Sequence, residues 1–439
     1  MSNINTFNDL GIISPLSDRL KELAVVKPTE IQSMVIPLLL DKKQVVFRSA
    51  TGTGKTFAYL LPALQSLFFN EDGSQERGSV FESGRRGIEI LICAPTLELC
   101  SQIKAQADFL LQSADKEPAQ TAGLTALLIG SVKMEKQAEM LKKNRPVIAV
   151  GNPGRILALA RMKKLRFDNL RFLILDEADR LTVQECIDET KELLEMITRS
   201  VKRAAADDGY GGSRKKPGLC AAACSATVSK KAIAPLGALF EEAQIAQSDD
   251  HEILRERIEH WAFFSEKRRK IQILRSLLSA IKAKSSKKGK SKIKALVFTS
   301  RNDEAGDVLS RLQYHHISAA GLFSKTGGKA LSGAERKAAL DSFREGKTEV
   351  LVSTDLAARG LDIPGITHII ALDVPSDAEA YIHRCGRTAR AGKRGVMATI
   401  GDETQMRLLS SLEKKLKIRV YPKELHNGQV CAPLPDDEE

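Results

Sequence analysis

Residues 49–56 read Ser49-Ala50-Thr51-Gly52-Thr53-Gly54-Lys55-Thr56. The apolar run Val45-Val46-Phe47 precedes this segment, and a helical pattern over Phe57 to Phe69 follows it. In such a strand–loop–helix context, backbone N–H groups at the helix N-terminus point at phosphate oxygens, and glycines let the backbone approach them closely. Lys55 is predicted to reach the terminal phosphates, and Thr56 to lie where Mg²⁺ binds. The segment therefore predicts a phosphate-binding loop.

Short apolar runs alternate with amphipathic helical stretches, such as Leu97 to Leu111, along most of the chain. The first series of runs comprises Ile90-Leu91-Ile92, Val147-Ile148-Ala149-Val150, Phe172-Leu173-Ile174-Leu175 and Leu219 to Cys224. A second series begins after residue 262 and comprises Leu296-Val297-Phe298, Val350-Leu351-Val352, His368-Ile369-Ile370-Ala371 and Val396-Met397-Ala398. Alternation of this kind is typical of a parallel sheet covered by helices on both faces. The fold class predicted is α/β, with two tandem domains.

Length and composition bound the class of protein. The chain has 439 residues, of which 43% are hydrophobic and 28% are charged, an ordinary globular mixture. The sequence has no apolar run of about 18 residues, so a spanning helix is not expected. Residues 1–18 lack the basic and apolar segments of a secretory signal. A cytoplasmic protein is expected, or a nuclear or nucleolar one if the source is eukaryotic.

The charge balance gives the first hint about partners. Lys and Arg outnumber Asp and Glu, 67 to 55, for a formal net charge of +12. Such a balance either favours polyanionic partners, through attraction and counterion release, or serves solubility alone. The seven cysteines show no zinc spacing and are predicted to be reduced core thiols.

Asp176 and Glu177 close another buried run, Phe172 to Leu175. A carboxylate at the end of a strand, beside a phosphate loop, is a hard oxygen ligand of the kind Mg²⁺ prefers, and Asp176 is assigned this role. Glu177 is then placed to polarise an attacking water. An Asp-Glu pair alone is usually a strand end or a helix cap; the phosphate loop upstream favours the catalytic interpretation.

These residues resemble a known family, the DEAD-box ATP-dependent RNA helicases, whose signature is Asp176-Glu177-Ala178-Asp179. The resemblance covers about residues 7 to 420 and implies two RecA-like domains that use ATP and Mg²⁺. Lys27 to Gln32 resembles the adenine-reading Q motif, which implies nucleotide contacts from Phe7, Thr29 and Gln32 beside those of the phosphate loop. The family's Gly-Phe pair is Ala24-Val25 here.

The two series of apolar runs, with the resemblance, predict a domain division, and the linker is placed in a highly charged segment. Residues 1–33 form a Q-motif region within the first domain, 34–247 the ATP-binding domain, 248–262 a linker and 263–422 the C-terminal helicase domain. Residues 423–439 are expected to be a disordered acidic tail. Asn70 to Arg86, Ala204 to Pro217 and Lys282 to Lys294 are predicted surface insertions, because they cannot bury enough apolar area to order themselves.

Motifs in both halves imply how the two domains work together. Ser225 and Thr227, from Ser-Ala-Thr, and His383 imply coupling of hydrolysis to strand separation. Asp362 is implied to contact the nucleotide ribose. Arg387 and Arg390, three apart, are expected on one helical face, and they resemble arginine fingers that meet charge on the γ-phosphate.

The implied RNA contacts suit backbone recognition with little sequence specificity, since hydroxyls, helix starts and Arg bind phosphates. They are Pro95, Thr96, Gly130, Pro153, Gly154, Arg155, Arg336 and Thr354. Departures from the family pattern cluster on this RNA side, at Leu97, Ser131, Asn152 and Gly333. The Lys282 to Lys294 run, with seven lysines, either solubilises the protein or adds RNA phosphate contacts as a loop.

Two functions remain open at this point. One is an RNA-stimulated ATPase that locally separates short RNA duplexes or remodels RNA–protein complexes. The other is an ATP-gated RNA clamp or scaffold with weak unwinding. A DNA-translocating helicase is disfavoured by the Asp-Glu-Ala-Asp and Gln32 signatures. A monomer that does not associate with membranes is expected.

Overall fold

The computed structural model describes residues 6–48, 54–68, 87–112, 123–182, 186–207, 218–225, 234–248, 251–287, 293–323, 331–358, 363, 365–375, 377–389 and 393–433. The chain divides after residue 248 into two compact units. Each unit holds one seven-stranded sheet, and the assigned strand pairs of both sheets are parallel.

The sheet of the first unit has the strand order β3-β4-β2-β5-β6-β1-β7. Its strands are β1 Val45–Arg48, β2 Ile90–Cys93, β3 Thr125–Leu128, β4 Ile148–Gly151, β5 Phe172–Leu175, β6 Cys220–Ser225 and β7 Gln244–Gln247. Its helices are α1 Ser14–Glu22, α2 Glu30–Leu40, α3 Lys55–Gln65, α4 Leu97–Leu111, α5 Met134–Asn144, α6 Pro153–Arg161, α7 Ala178–Leu181 and α8 Ile187–Asp207. Short 3₁₀ turns occupy Asn8–Leu10 and Ala234–Phe240.

Both faces of this sheet are buried. In β2, Ile90 and Ile92 join one apolar cluster, whereas Leu91 and Cys93 join the other. Neighbouring side chains of a strand point to opposite faces, so an unbroken apolar run is what a strand covered on both faces requires. This is why the short apolar runs of the sequence locate the strands.

The second unit repeats the architecture, with the strand order β10-β11-β9-β12-β13-β8-β14. Its strands are β8 Ile258–Phe264, β9 Ala295–Thr299, β10 Ala319–Leu322, β11 Val350–Thr354, β12 His368–Ala371, β13 Gly395–Gly401 and β14 Val420–Pro422, followed by the hairpin β15 Glu424–His426 and β16 Gln429–Cys431. Its helices are α9 His251–Glu256, α10 Lys270–Lys287, α11 Asn302–Tyr314, α12 Gly333–Arg344, α13 Asp355–Ala358, α14 Ala378–Cys385 and α15 Glu403–Leu416. The predicted fold class is confirmed.

The predicted linker, 248–262, is wrong for most of its length. Helix α9 occupies His251–Glu256, and β8 begins at Ile258 and pairs with both β13 and β14. The charge of this segment suggested a linker, but part of that charge belongs to a strand with one exposed side. Glu259 lies on the exposed side of β8, and the next residue, His260, is buried.

The lysine run, 282–294, is not a simple loop. Helix α10 extends through Lys287, since Lys and Ala are good helix formers. Lys282 Nζ forms an ion pair of 2.8 Å with Glu349, and Lys294 Nζ donates to the Arg344 carbonyl at 2.7 Å. Residues 288–292 lie outside the described residues.

The tail predicted over 423–439 is wrong for its first part. Strands β15 and β16 form an antiparallel hairpin, and Leu425 and Val430 pack against the core of the second unit. Asn427 and Gly428 both have positive φ, 48° and 70°. This is the arrangement that an Asn-Gly pair favours in a two-residue hairpin turn. Residues 434–439 lie outside the described residues.

The other predicted insertions fall mainly outside the described residues. Residues 70–86 and 208–217 lie there, whereas 204–207 complete helix α8. Five of the cysteines are buried, and Cys186 and Cys431 are partly exposed. Within the part of the chain that the structure describes, no helix combines the length and apolar character that a membrane crossing requires.

Candidate nucleotide and RNA site

The predicted site residues of the first unit gather at one edge of its sheet. Asp176 follows β5, Ser225 ends β6, and the phosphate loop follows β1. Strands β5, β6 and β1 are neighbours in the sheet. Since the carboxyl ends of parallel strands meet at one edge, where ligands of α/β folds bind, this edge is the candidate site.

Of the phosphate loop, the structure describes Gly54, Lys55 and Thr56, whereas Ser49, Ala50, Thr51, Gly52 and Thr53 lie outside the described residues. Gly54 is the N-cap of α3 and has φ of +86°, a conformation that favours glycine. Lys55 and Thr56 open the helix, where N–H groups without a helical partner suit a phosphate.

The Gln32 side chain stabilises this turn through hydrogen bonds. Its side chain is 1% exposed. Its Nε2 donates to the Gly54 carbonyl at 2.9 Å, and its Oε1 accepts from the Thr29 N–H at 2.8 Å. A Cβ on residue 54 would lie 2.3 Å from Gln32 Nε2. Because an amide can donate twice and accept twice, these bonds leave an adenine contact chemically feasible.

Phe7, for which the resemblance implies a nucleotide contact, is buried. Its ring is 2% exposed and belongs to the core of the first unit. The structure therefore gives Phe7 a packing role in this core, and the nucleotide contact that the resemblance implies for it stays a prediction.

Asp176 is held by two hydrogen bonds. Its Oδ2 accepts from the Tyr59 hydroxyl at 2.8 Å, and its Oδ1 accepts from the Glu177 N–H at 2.9 Å. Burial, and after it the Asp176 charge, raises the pKa of Tyr59 well above its ordinary value. Tyr59 is therefore a permanent donor at neutral pH, and Asp176 is fixed in orientation.

The residues present suit a magnesium ion. The Tyr59 hydroxyl is hydrogen-bonded to both Asp176 and Thr56, so a carboxylate and a hydroxyl share this one partner. Both are hard oxygen ligands, which Mg²⁺ prefers, and with substrate phosphates it needs only one or two protein groups. Among the described residues, no group of three or more His, Cys, Asp or Glu forms a self-sufficient metal cage.

The acidic motif turns sharply after Asp176. Glu177 has a left-handed backbone, with φ of +51°, and caps α7. Its Oε2 lies 3.5 Å from Arg180 Nη1. The Ser225 hydroxyl donates to Asp179 Oδ1 at 3.3 Å, which connects the Ser-Ala-Thr motif to the acidic motif; Thr227 lies outside the described residues. A strained non-glycine backbone of this kind is typical of functional sites.

The RNA-side residues of the first unit meet at the same edge. Arg155 Nη2 donates to the Gly130 carbonyl at 2.9 Å. Thr96 caps α4, where its hydroxyl accepts from the Leu99 N–H at 3.3 Å. Pro153 opens α6, which places Gly154 in its first turn. Asn152, one of the departures from the family pattern, turns its amide inward and donates to the Ala94 carbonyl at 2.9 Å.

A carboxylate rests against the start of α6. The Glu189 Oε2 lies 2.5 Å from the position that a Cβ on Gly154 would take. A side chain at position 154 would therefore displace the exposed Glu189 carboxylate from the start of α6.

In the second unit, Thr354 ends β11 and Arg336 lies on α12, from which its Nη2 donates to the Ala357 carbonyl at 2.9 Å. His383 and Arg387 line one small pocket with Asp355. The expectation that Arg387 lies on a helical face is wrong, because α14 ends at Cys385 and Arg387 follows in a tighter turn, with its N–H bonded to the Arg384 carbonyl. Asp362 and Arg390 lie outside the described residues.

Two side chains that support the site escaped the sequence analysis. Arg384 is 1% exposed and binds Asp355 through two nitrogens, at 2.7 and 2.6 Å, and Asp373 at 2.7 Å. Tyr59 is the other. Its position four residues after Lys55, on the same face of α3, was the available signal.

Comparisons with known proteins agree with this geometry. The family described as DEAD/DEAH box helicase matches residues 29–234, and the helicase conserved C-terminal domain matches residues 269–392. The DEAD-box ATP-dependent RNA helicase CshC of Bacillus cereus is 31% identical over 407 residues, which are 93% of this chain and 90% of that protein. The DEAD-box ATP-dependent RNA helicase 47A of Oryza sativa subsp. japonica is 30% identical over 468 residues, 99% of this chain and 77% of that protein.

Solved structures with the same fold include two helicases of tandem RecA-like domains. S. cerevisiae Dbp5 bound to RNA and ADP BeF3 has a TM-score of 0.71 at 23% identity, over 95% of each chain. Mss116p bound to ssRNA and AMP-PNP has a TM-score of 0.75 at 23% identity, over 96% of this chain and 80% of that one. At this identity the likeness establishes the fold alone.

Proposed function

Because the chain belongs to the DEAD-box family of ATP-dependent RNA helicases, we propose that it couples hydrolysis of ATP to ADP and phosphate to local separation of short RNA duplexes. The observation that carries the proposal is the buried contact between Tyr59 and Asp176. It joins the helix that begins at Lys55 to the strand end that bears the acidic motif, and so assembles the groups that phosphoryl transfer needs.

The chain's own residues divide the work of hydrolysis. The phosphate loop, residues 49–56, cradles the phosphates, and the Lys55 ammonium stabilises charge on the terminal phosphate. Glu177 orients the attacking water and accepts its proton. Gln32 fixes the turn at Gly54 and, with Thr29, reads the adenine.

Thr56 and Asp176 would hold the Mg²⁺ ion, Asp176 by way of a bound water. When bound, Mg²⁺ neutralises charge on the phosphate oxygens. Tyr59 orients the Asp176 carboxylate for this role.

The second unit contributes to turnover through residues that meet the nucleotide when ATP and RNA are both bound. We assign Arg387 and Arg390 to the developing charge on the γ-phosphate, and Asp362 to the ribose. Ser225, Thr227 and His383 carry the coupling of hydrolysis to RNA release.

RNA is the proposed polymer substrate, held through its backbone. The relatives are named RNA helicases, and the solved proteins of the same fold are bound to RNA. Arg155, Thr96 and Arg336 supply side-chain donors, and the helix starts at Pro153-Gly154 and Pro95-Thr96 supply N–H groups, with Gly130 and Thr354 alongside. The protein is proposed to act as a monomer in the cytoplasm, or in the nucleus or nucleolus of a eukaryote.

A Glu177→Gln variant tests the proposal. It should bind ATP like the wild type but hydrolyse it slowly, since an amide does not accept a proton from water, and it should remain on RNA. Lys55→Ala serves as the binding-deficient comparison. Wild-type turnover in a folded Glu177→Gln protein would overturn the role of Glu177.

A strand-release assay on a short RNA duplex, run together with an ATPase assay, distinguishes the two functions that the sequence leaves open. Strand release that requires ATP supports the helicase. RNA-stimulated hydrolysis without strand release would instead identify an ATP-gated clamp, which the inward-turned Asn152 on the RNA side gives reason to consider.

A further inference from the structure

A basic groove lies at the edge of the first sheet opposite the candidate nucleotide site. It has a volume of about 500 Å³. Ile88, Pro146 and Asn169 line it, and these residues precede β2, β4 and β5, which are neighbours in the sheet. The groove is therefore at the amino ends of the strands whose carboxyl ends carry the ATP and RNA motifs.

The rim of this groove is cationic. Arg145, Lys163, Lys164 and Arg166 line it and are exposed. Asp168, also in the lining, has its charge offset by Arg166, whose Nε donates to it at 2.8 Å, and it accepts a further bond from Ser200 at 2.8 Å. Lys142 and Lys143, in the last turn of α5, add charge beside the rim.

A simpler explanation covers part of this charge. Helices α5 and α6 end at Asn144 and Arg161, and cations at helix C-termini are favoured by the helix dipole. That effect falls off within the last turn, so it does not account for Lys164 and Arg166. It also does not account for their convergence with Arg145, which comes from a separate helix.

Two of these cations follow the ends of helices in left-handed backbone conformations. Arg145 and Lys163 have left-handed conformations, with φ of 45° and 56°. Glycine or asparagine normally occupies such positions after a helix, and other residues cost about 1–2 kcal/mol there. Both side chains line the groove. Lys42 and Lys417 have the same backbone conformation, so the groove is distinguished by the convergence of its four cations and not by this conformation.

We propose that this groove, defined by Arg145, Lys163, Lys164 and Arg166, is a second binding site for the phosphodiester backbone of RNA. Cations that line a cleft focus the field on a polyanion, and Lys and Arg bind phosphates without reading sequence. The lining also includes the apolar side chains of Leu141 and Leu165, which suit contact with the sugar part of the backbone.

RNA is the occupant favoured by position. The groove and the RNA-side residues lie at opposite ends of the same strands, and a four-residue strand such as β2 spans about 13 Å. A duplex extends by a few ångströms per base pair, so a short flanking RNA helix covers this distance. The inference rests on the proposed function in taking RNA as the partner, and it assigns the groove to the flanking RNA, outside the segment that the helicase motifs hold.

The test compares two triple variants with equal charge loss. Arg145→Asn, Lys163→Asn and Lys164→Gln remove three charges from the groove, and asparagine suits the two left-handed positions. The control, Lys414→Gln, Lys415→Gln and Lys417→Asn, removes three lysines at the end of α15 in the other unit, where Lys417 is also left-handed, with φ of 53°. Thermal unfolding of both variants verifies that they fold.

RNA affinity is measured across a salt series for a single strand of about six nucleotides, within the usual range of single-strand sites, and for the same strand carrying a duplex flank. On the flanked RNA the groove variant should bind at least about tenfold more weakly and lose about 2–3 from the log–log salt slope, because each phosphate contact contributes about 0.7 in single strands and about 0.9 in B-form DNA. The control variant should keep the wild-type slope on this RNA. On the short strand, both variants should match the wild type.

Equal slopes for the two variants on the flanked RNA would overturn the second site while leaving the proposed function intact. Failure of the wild type to bind either RNA would instead refute the proposed function. If a polyglutamate peptide binds the wild type but not the groove variant, while flanked RNA binds both alike, the groove serves an acidic protein and the RNA proposal is wrong.

Discussion

Tyr59 and Asp176 are joined by a buried hydrogen bond of 2.8 Å from the phenol hydroxyl to the carboxylate Oδ2. The contact spans 117 residues of sequence and links the first helix after the phosphate loop to the acidic motif. It makes the orientation of a proposed magnesium ligand depend on a residue that is itself buried in the core.

A Tyr59→Phe variant should therefore need more Mg²⁺ for ATP hydrolysis. The ring keeps its packing, but Asp176 Oδ2 loses its donor, and partners of metal ligands typically contribute tenfold or more to metal affinity or activity. The half-saturating Mg²⁺ concentration in an ATPase titration should rise by about tenfold. Tyr421→Phe, which alters an exposed tyrosine of the second unit, is the control, and coincident Mg²⁺ curves for the two variants would refute the role of Tyr59.

Gln32 and Gly54 should prove energetically coupled. Gly54→Ala places a Cβ 2.3 Å from Gln32 Nε2 and imposes a left-handed alanine, which costs about 1–2 kcal/mol. Gln32→Ala removes the clash but not the strain. The double variant should therefore lose less stability than the sum of the single variants, by about 1 kcal/mol or more in a double-mutant cycle from urea unfolding. Strict additivity would mean that the Gln32 amide does not clamp the turn.

The sequence located the elements whose physics is local. Buried parallel strands require unbroken apolar runs, and the runs at 45–47, 172–175 and 368–371 begin where β1, β5 and β12 begin. Strands β3, β7 and β10 were missed because they are rich in Thr, Gln, Ala or Gly and lack an unbroken run of large apolar residues, so tertiary pairing overrides a weak local preference.

Other predictions were wrong or absent because they depend on tertiary contacts, which the spacing of residues in the sequence does not reveal. The three-residue separation of Arg387 from Arg390 indicates a shared helix face only if the helix continues, and α14 ends at Cys385. The hairpin at 424–431 had a readable signal, the Asn427-Gly428 pair, which the acidic composition of the tail obscured. The basic groove joins segments before three strands and was not predictable without the order of the sheet.

Arg384 should be one of the most important residues for the stability of the second unit. Its guanidinium is 1% exposed and is shared by Asp355 and Asp373. Removing one partner of a buried ion pair leaves charge without compensation and typically costs about 3–5 kcal/mol. Arg384→Gln should lower the urea midpoint accordingly. Arg407→Gln breaks an exposed pair with Glu403 and should change stability by less than about 0.5 kcal/mol; similar losses for both variants would contradict this view.

Ala24 should be a site where glycine stabilises the protein. Helix α1 ends at Glu22, the N–H groups of Ala24 and Val25 bond to the carbonyls of Lys21 and Leu20, and Ala24 has φ of 58°. Glycine removes the left-handed strain, so Ala24→Gly should raise the free energy of unfolding by about 0.5–1 kcal/mol. Ala105→Gly, at an exposed position within α4, should lower it by about 1 kcal/mol. A loss of stability in both variants would refute the strain at Ala24.

His368 should make the protein less stable in mild acid. Burial, together with the charge of Lys284, lowers the pKa of His368 to about 4, below its ordinary value of about 6.5. Between these values the unfolded chain binds the proton and the folded chain does not, so stability is complete above pH 6.5 and falls as the pH decreases toward 4. The loss should reach about 3 kcal/mol in urea unfolding at a series of pH values. His368→Gln should flatten this pH dependence. The control His426→Gln, at a half-exposed position, should leave it unchanged. His260, whose pKa is also lowered by burial, is present in the wild type and in both variants. Parallel pH profiles for the wild type and His368→Gln would show that His368 does not titrate with unfolding.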